Sequence, residues 1–341
     1  MMMFGTEAET LGSFTYQSDS VVKTLLSTGN IYLSRDSKGT DEKPVGLENC
    51  DIQLPVFNGR LIEANLDLHG FTFLQHKIHH IDYYDEEEII GKYYNEVCDT
   101  IRKQTGAFKV VAFDHNVRAS ITKSWMNEDG NERVEKKIKG GSNVQSPAMI
   151  VHNDYTVTSA PLRLEMLAQP PKVNDTWKRL RLDNAPLIDP EELQELLKGR
   201  YVFINMWRNI SEEPLQDSPL ALCDATTISP QEIVTFEIRY PDRIGENYFS
   251  CFSPAHKWVY YPNMTKDEAL LIKVWDSKGD LGRNESCRDS QDSNMTPSAD
   301  ESKPTVKLST FSFHSAFKDI NAAADCPKRE SIEIRTVAFF S

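Results

Sequence analysis

Apolar residues along this chain recur with two different periods. Between 85 and 106, Ile89, Tyr93, Val97 and Ile101 come at four-residue spacing, with Asp85 at the N-cap position and Gly106 just beyond the last turn. That pattern predicts a helix. A second helix is predicted where Asp189 caps, Pro190 sits in the first turn, Leu193, Leu196 and Leu197 form an apolar stripe, and Gly199 ends it. Elsewhere the runs are short and rich in β-branched and aromatic residues: "FKVVAFDH" from 108, then "AMIVHNDY", "YVFINMW", "PLALCDA", "IVTFEIRY", "NYFSCFS", "KWVYYP", "ALLIKVW", "STFSFHSAF" and "SIEIRTVAFF". Many short strands in one continuous region from about 148 point to a mainly β fold with flanking helices, a jelly roll or barrel.

Other stretches carry less pattern. Residues 1–50 are polar with scattered apolar positions and read as a partly ordered arm, leaving 51–341 as a single domain. The segment 52–75, broken at Asn58-Gly59 and Gly70, looks like a hairpin. The charged, Gly-rich stretch 119–146 reads as a loop or mobile hairpin. Residues 278–305, "KGDLGRNESCRDSQDSNMTPSADESKP", are nearly devoid of apolar side chains and are expected to be disordered, since burial cannot offset the entropy of ordering them.

Composition narrows the function classes. A net charge of −13 argues against a nucleic-acid partner, which requires clustered Lys and Arg. No run approaches the length of a membrane span and the start lacks the pattern of a secretory signal, so a cytoplasmic protein is expected. The six cysteines show no C-x-x-C and no zinc spacing, and read as free thiols in a reducing compartment.

Candidate chemistry sits in "MIVHNDY" and "FSFHSAF". His152 and Asp154 are two apart on a predicted strand, so their side chains share a face. A distant second His followed by a basic residue completes the order found in non-haem iron oxygenases, where two imidazoles and one carboxylate hold one face of an octahedral Fe(II). A lone His-x-Asp is weak: about one such triplet is expected from composition alone, and His80-Ile81-Asp82 is another. That one, however, lies just before a helix N-terminus, where capping explains the Asp. For the second imidazole the candidates after 154 are His314 and His256, the latter with Lys273 as its downstream cation. His314 is better placed, because "RESIEIR" opens the last strand behind it. There Arg329, Ser331, Glu333 and Arg335 share a face, with the two arginines roughly 20 Å apart at 3.3 Å per residue. An Arg-x-Ser pair offers a guanidinium fork and a hydroxyl to one carboxylate, which favours Arg329 with Ser331 over Arg335 as the 2-oxoglutarate anchor.

Strings spread over roughly residues 80–341 carry a resemblance: "YYDEEEI", "TGAFKVVAFDHNVR", "VHNDYTVTSAPLRL", "INMWRNI", "ENYFSCFSPAHKWVYYPNMTKDEALLIKVWDS", "FHSAF" and "RESIEIR". They resemble a microbial, largely fungal family of secondary-metabolite proteins. It includes the cephamycin methoxylation accessory protein, gibberellin-desaturase-like enzymes and the Fe(II)/2-oxoglutarate oxygenase that forms the novofumigatonin endoperoxide. The resemblance implies a double-stranded β-helix (cupin-like) with Fe(II) on His152, Asp154 and His314, and 2-oxoglutarate and O2 as co-substrates. It also implies a small-molecule natural product as substrate, pocket roles for Arg118, Arg163, Trp207 and Lys273, and a homodimer or a heterodimer with a paralogue as permitted assemblies. Hydroxylation, desaturation, cyclisation and endoperoxidation all fit it. The rivals are an iron oxidase that does without 2-oxoglutarate, a methyltransferase and a non-catalytic subunit of a heteromeric enzyme. Members have been labelled methyltransferases, but this chain has only 16 Gly and no Gly-rich strand-to-helix turn.

Overall fold

The computed structural model describes residues 8–36, 42–78, 80–120, 139, 144–172, 175–179, 183–241, 243–280 and 308–341. Two sheets face each other across a shared core. The larger runs in the order β14 (Lys318–Asp319), β1 (Thr10–Gln17), β3 (Asn49–Asn58), β11 (Trp258–Tyr260), β8 (Leu220–Cys223), β13 (His314–Ala316), β6 (His152–Asn153), β10 (Ile244–Ser250), β9 (Ile233–Arg239) and β2 (Ile31–Ser34). The smaller runs β4 (Phe71–Gln75), β12 (Glu268–Asp276), β7 (Arg200–Asn209), β15 (Glu330–Phe340) and β5 (Lys109–Ala119). This is the jelly roll expected from the strand pattern, in the double-stranded β-helix form that the resemblance implied.

Both predicted helices form. Asp85 accepts from the Glu87 amide, and Gly106 closes the helix Tyr94–Thr105 in the left-handed conformation at φ 75°. A π-helical turn at Ile89–Tyr93 joins the capped first turn Glu86–Glu88 to that helix. Such a turn holds more residues than an α-turn, which keeps a four-residue apolar spacing on one face. That face (Ile89, Tyr93, Val97, Ile101) packs on Val117, Met206, Ile332 and Ile334 of the small sheet. In the helix Pro190–Leu196, Asp189 accepts from two amides and Leu193 and Leu196 are buried, whereas Leu197 faces solvent instead of joining the stripe.

Two expectations for the N-terminal third are overturned. Residues 8–17 are not an arm: β1 pairs with β3 along its whole length and with β14 on its other edge, and Phe14 and Tyr16 are fully buried. Its alternation was masked by Gly12, which sits where an added Cβ would lie 2.5 Å from Phe317. Nor is 52–75 a hairpin. The short helix Leu66–His69, capped by Asn65, carries the chain from one sheet to the other, so β3 and β4 never pair. The expectations for 119–146 and 278–305 fall largely on residues outside the described ones. The flanks of the second stretch do meet, through Asp280 N donating to Leu308 O.

Alternation on the small sheet makes one end of the interior apolar and the other polar. Along β15, Val337 and Phe339 join the main core, while Ser331, Glu333 and Arg335 point the same way farther along. Their partners across the sheet are Arg118, Asn116 and Asp114 on β5 and Asn209, Trp207 and Asn205 on β7. The polar end lies opposite β6 and β13.

Candidate metal centre

The register of the large sheet sets His152 directly opposite His314, on the adjacent antiparallel strands β6 and β13. Their rings are 4.4 Å apart between centroids. Asp154, two residues beyond His152, brings its Oδ1 to 3.8 Å from His152 Nε2, and one donor atom from each of the three residues lies within 4.8 Å of the others. Each imidazole turns its Nδ1 to a backbone carbonyl, His152 to Ile150 O at 2.8 Å and His314 to Ser312 O at 3.4 Å. A carbonyl accepts only, so Nδ1 carries the proton and Nε2 keeps its lone pair for a metal. Burial, with the neighbouring His314, pulls His152 down to about 4, so the ring is neutral. Burial alone would raise the Asp154 carboxyl. Arg335, the two imidazoles and the Asn205 amide outweigh it and hold the group ionised, far below the usual carboxylate range. Two neutral imidazoles and one carboxylate, with donors converging and hydrogen bonds behind them, fit a divalent iron.

Asn205 and Asp114 are the supports that sequence reading did not single out. Asn205 Nδ2 donates to Asp154 Oδ2 at 2.7 Å, and Arg335 ties the same carboxylate (3.6 Å) to Asp114 (2.8 Å). An amide in the middle of the apolar run "YVFINMW" was the available sign. Arg335 is therefore already engaged by carboxylates.

Arg329 is placed differently. It is 3% exposed; its Nε donates to Ser331 Oγ at 3.0 Å, its Nη1 to Ser218 O at 2.8 Å, and its plane lies 5.2 Å from the Trp207 ring. It forms no ion pair with a described residue. Burial, reinforced by nearby Arg118, pulls its pKa down to about 9. Arg329, Ser331, Trp207, Arg118 and Glu333 line the same small cavity as His152, Asp154 and His314. Burial and the Asp154 charge push the Glu333 carboxyl up.

The remaining candidates separate by position. Arg163 lines a larger cleft that shares Asp154, Arg118 and Arg335 with the metal centre. His256 is not brought to the triad. Its Nδ1 meets Tyr16 OH at 2.9 Å and its Nε2 meets Glu232 at 2.7 Å, so both ring nitrogens are used away from the triad. Lys273 also lies elsewhere. It pairs with Ile204, on the face of the small sheet turned toward the helix, and its ammonium is held by Asp276 at 2.9 Å and Asp67 at 3.2 Å. In His80-Ile81-Asp82 the Asp is not the helix cap, which is Asp85; Asp82 accepts from the Tyr84 amide in the turn before it.

A hydroxylase/desaturase of Cercospora beticola is 33% identical over 227 residues, which are 63% of this chain and 62% of that protein. A Fe(II)/2-oxoglutarate-dependent dioxygenase of Aspergillus novofumigatus is 27% identical over 282 residues, covering 81% and 78%. The solved structure of the iron and alpha-ketoglutarate-dependent endoperoxidase NvfI superposes with a TM-score of 0.66 at 21% identity, covering 96% of this chain and 97% of that one. Among the described residues no helix is long and apolar enough to cross a membrane. The family described as the oxidoreductase/YMDC permease-like domain matches residues 22–339, and the chain belongs to it.

Proposed function

We propose that His152, Asp154 and His314 hold Fe(II), that Arg329 and Ser331 hold the far carboxylate of 2-oxoglutarate, and that the substrate is a small secondary-metabolite intermediate. The observation that carries this reading is Arg329: a buried guanidinium without a carboxylate partner among the described residues, facing the cavity of the triad. A buried cation is costly unless an anion meets it, and a planar carboxylate matches its free N–H edge. The same feature speaks against an oxidase that dispenses with 2-oxoglutarate. When bound, Fe(II) and 2-oxoglutarate supply oxidation by O2 coupled to loss of CO2 and formation of succinate.

The chain's own residues prepare that chemistry. Ser331 Oγ accepts a hydrogen bond from Arg329 Nε and so fixes the fork, while Trp207 covers one face of the guanidinium and keeps water from it. Asn205 and Arg335 hold Asp154 ionised and aimed. The described cysteines are all free thiols, which suits a reducing cytoplasm. The test is Fe(II)-dependent conversion of 2-oxoglutarate to succinate by the purified protein. Succinate that requires iron and vanishes in His314→Ala supports the assignment; an iron-loaded protein that neither binds nor consumes 2-oxoglutarate sinks it.

A further inference from the structure

We infer that the cleft beside the metal centre recognises its substrate through a carboxylate on an otherwise apolar body, held by Arg163 and Arg243. The inference rests on the dioxygenase reading for the role of the bound molecule, though not for its binding. The cleft has a volume of about 330 Å³, within the size range of small-molecule sites.

Its charge runs against the rest of the protein. Acidic residues outnumber basic ones 51 to 38 in the chain. Five arginines line this wall (35, 118, 163, 243 and 335), against the two carboxylates Asp154 and Glu246. Asp154 belongs to the triad, and Glu246 accepts from Thr156 Oγ1 at 2.7 Å. Three of the arginines already have protein partners: Arg335 the carboxylate of Asp114, Arg118 the Ser146 carbonyl, and Arg35 the Tyr240 hydroxyl.

Arg163 and Arg243 do not. Their guanidinium groups form no hydrogen bond or ion pair with the described residues. Each is held by a ring face instead, Arg163 at 5.8 Å from Phe113 and Arg243 at 4.5 Å from Tyr240. Stacking covers the plane of a guanidinium and leaves its N–H edge free, the edge that takes a carboxylate in two parallel bonds. Asp175, the carboxylate on which both arginine charges act, spends its Oδ2 on the Lys172 amide at 2.7 Å. Apolar walls complete the cleft: Leu162, Met166, Ile238 and Ile244, with Leu162 and Ile244 exposed. Two guanidinium groups without a partner among the described residues, in one cleft with these apolar side chains, fit an amphiphilic acid and disfavour its neutral analogue.

The test is anaerobic calorimetry on full-length protein loaded with Fe(II) and saturating 2-oxoglutarate, so that Arg329 is occupied. The probes are dodecanoate, 1-naphthylacetate and cinnamate, each against its primary amide. At least one acid is expected to bind about tenfold or more tighter than its amide, with an advantage that shrinks as salt rises. Arg163→Gln with Arg243→Gln should erase the advantage and leave amide binding unchanged, whereas the paired Lys variants should keep part of it. Amides that bind as well as the acids across the panel, or a preference that survives the double Gln variant, would overturn the inference. Repeating the titrations without Fe(II) and 2-oxoglutarate separates the two claims. A carboxylate preference that persists there in the wild type and is lost in the double Gln variant, in a protein that shows no iron-dependent succinate formation, would retire the dioxygenase reading and leave the anion subsite standing.

Discussion

Arg329 and Lys273 are both cations buried at the small sheet, 3% and 1% exposed, and both were candidates to hold a co-substrate. Lys273 sits in a closed ion cluster. Its ammonium meets Asp276 and Asp67, and Arg200 meets the same two carboxylates, so two positive charges face two negative ones. Arg329 has a hydroxyl, a carbonyl and an indole ring; its strongest charged neighbour is another cation, Arg118, and the carboxylates of Glu333 and Asp217 act on it without forming an ion pair. Lys273 faces the helix side of the sheet, whereas Arg329 faces the cavity of the triad. A neutralised cluster is complete within the fold; an unneutralised cation beside an ordered donor set is completed by a ligand.

The largest effect expected is at the triad. His152→Ala, Asp154→Ala and His314→Ala should each lower iron retention by roughly a hundredfold or more, because a facial triad has no spare protein ligand. His256→Ala, whose ring is spent on Tyr16 and Glu232, should retain iron in the same dialysis and metal analysis. The reverse outcome would move the centre.

Next comes the stability side of the comparison. Lys273→Met should destabilise the fold by about 3 kcal/mol in denaturant unfolding, the low end for breaking a buried pair, because Arg200 still holds Asp276. Arg329→Met should cost less, or stabilise the ligand-free protein, since it removes an uncompensated buried charge. Equal losses would mean that Arg329 has a counter-charge after all.

A smaller effect is expected behind the ligands. Asn205→Ala removes the amide from Asp154 Oδ2 and should weaken iron binding roughly tenfold with little loss of fold, as other supports of metal ligands do.

The smallest is a pH effect. Burial holds His256 below the ordinary value of 6.5 despite the pull of Glu232. The unfolded chain then binds more protons than the folded one as pH falls below about 6.5, so stability drops on acidification, by at most about 1.4 kcal/mol per pH unit from this ring. His256→Gln should flatten that slope in acid unfolding curves; an unchanged slope would mean the ring is protonated when folded.

Much of this was legible in the sequence, for local reasons. His152 and Asp154 share a face by strand alternation, and His314 and Arg329 follow in the order the chemistry needs. The capped helices were legible from Asp85, Asp189 and Gly106. What could not be read depends on register between distant strands. Asn205 meets Asp154 only because β7 and β15 align it with Arg335, across from β6. Lys273 and Arg329 look alike as basic residues in apolar surroundings. The irregularity between Lys273 and Trp275 in the β12–β7 pairing obscures which face the lysine takes. In β1, Gly12 and the threonines hide an interior strand inside a polar stretch.

The most direct test of the comparison is an anaerobic titration of 2-oxoglutarate into the Fe(II)-loaded wild type, Arg329→Ala and Lys273→Met, followed by the weak visible charge-transfer band of chelated co-substrate. A band in the wild type is expected, with a dissociation constant raised about ten- to hundredfold in Arg329→Ala, for the loss of a charge-assisted contact worth about 1.5–3 kcal/mol, and unchanged in Lys273→Met. Wild-type affinity in Arg329→Ala together with weakened binding in Lys273→Met would contradict the account.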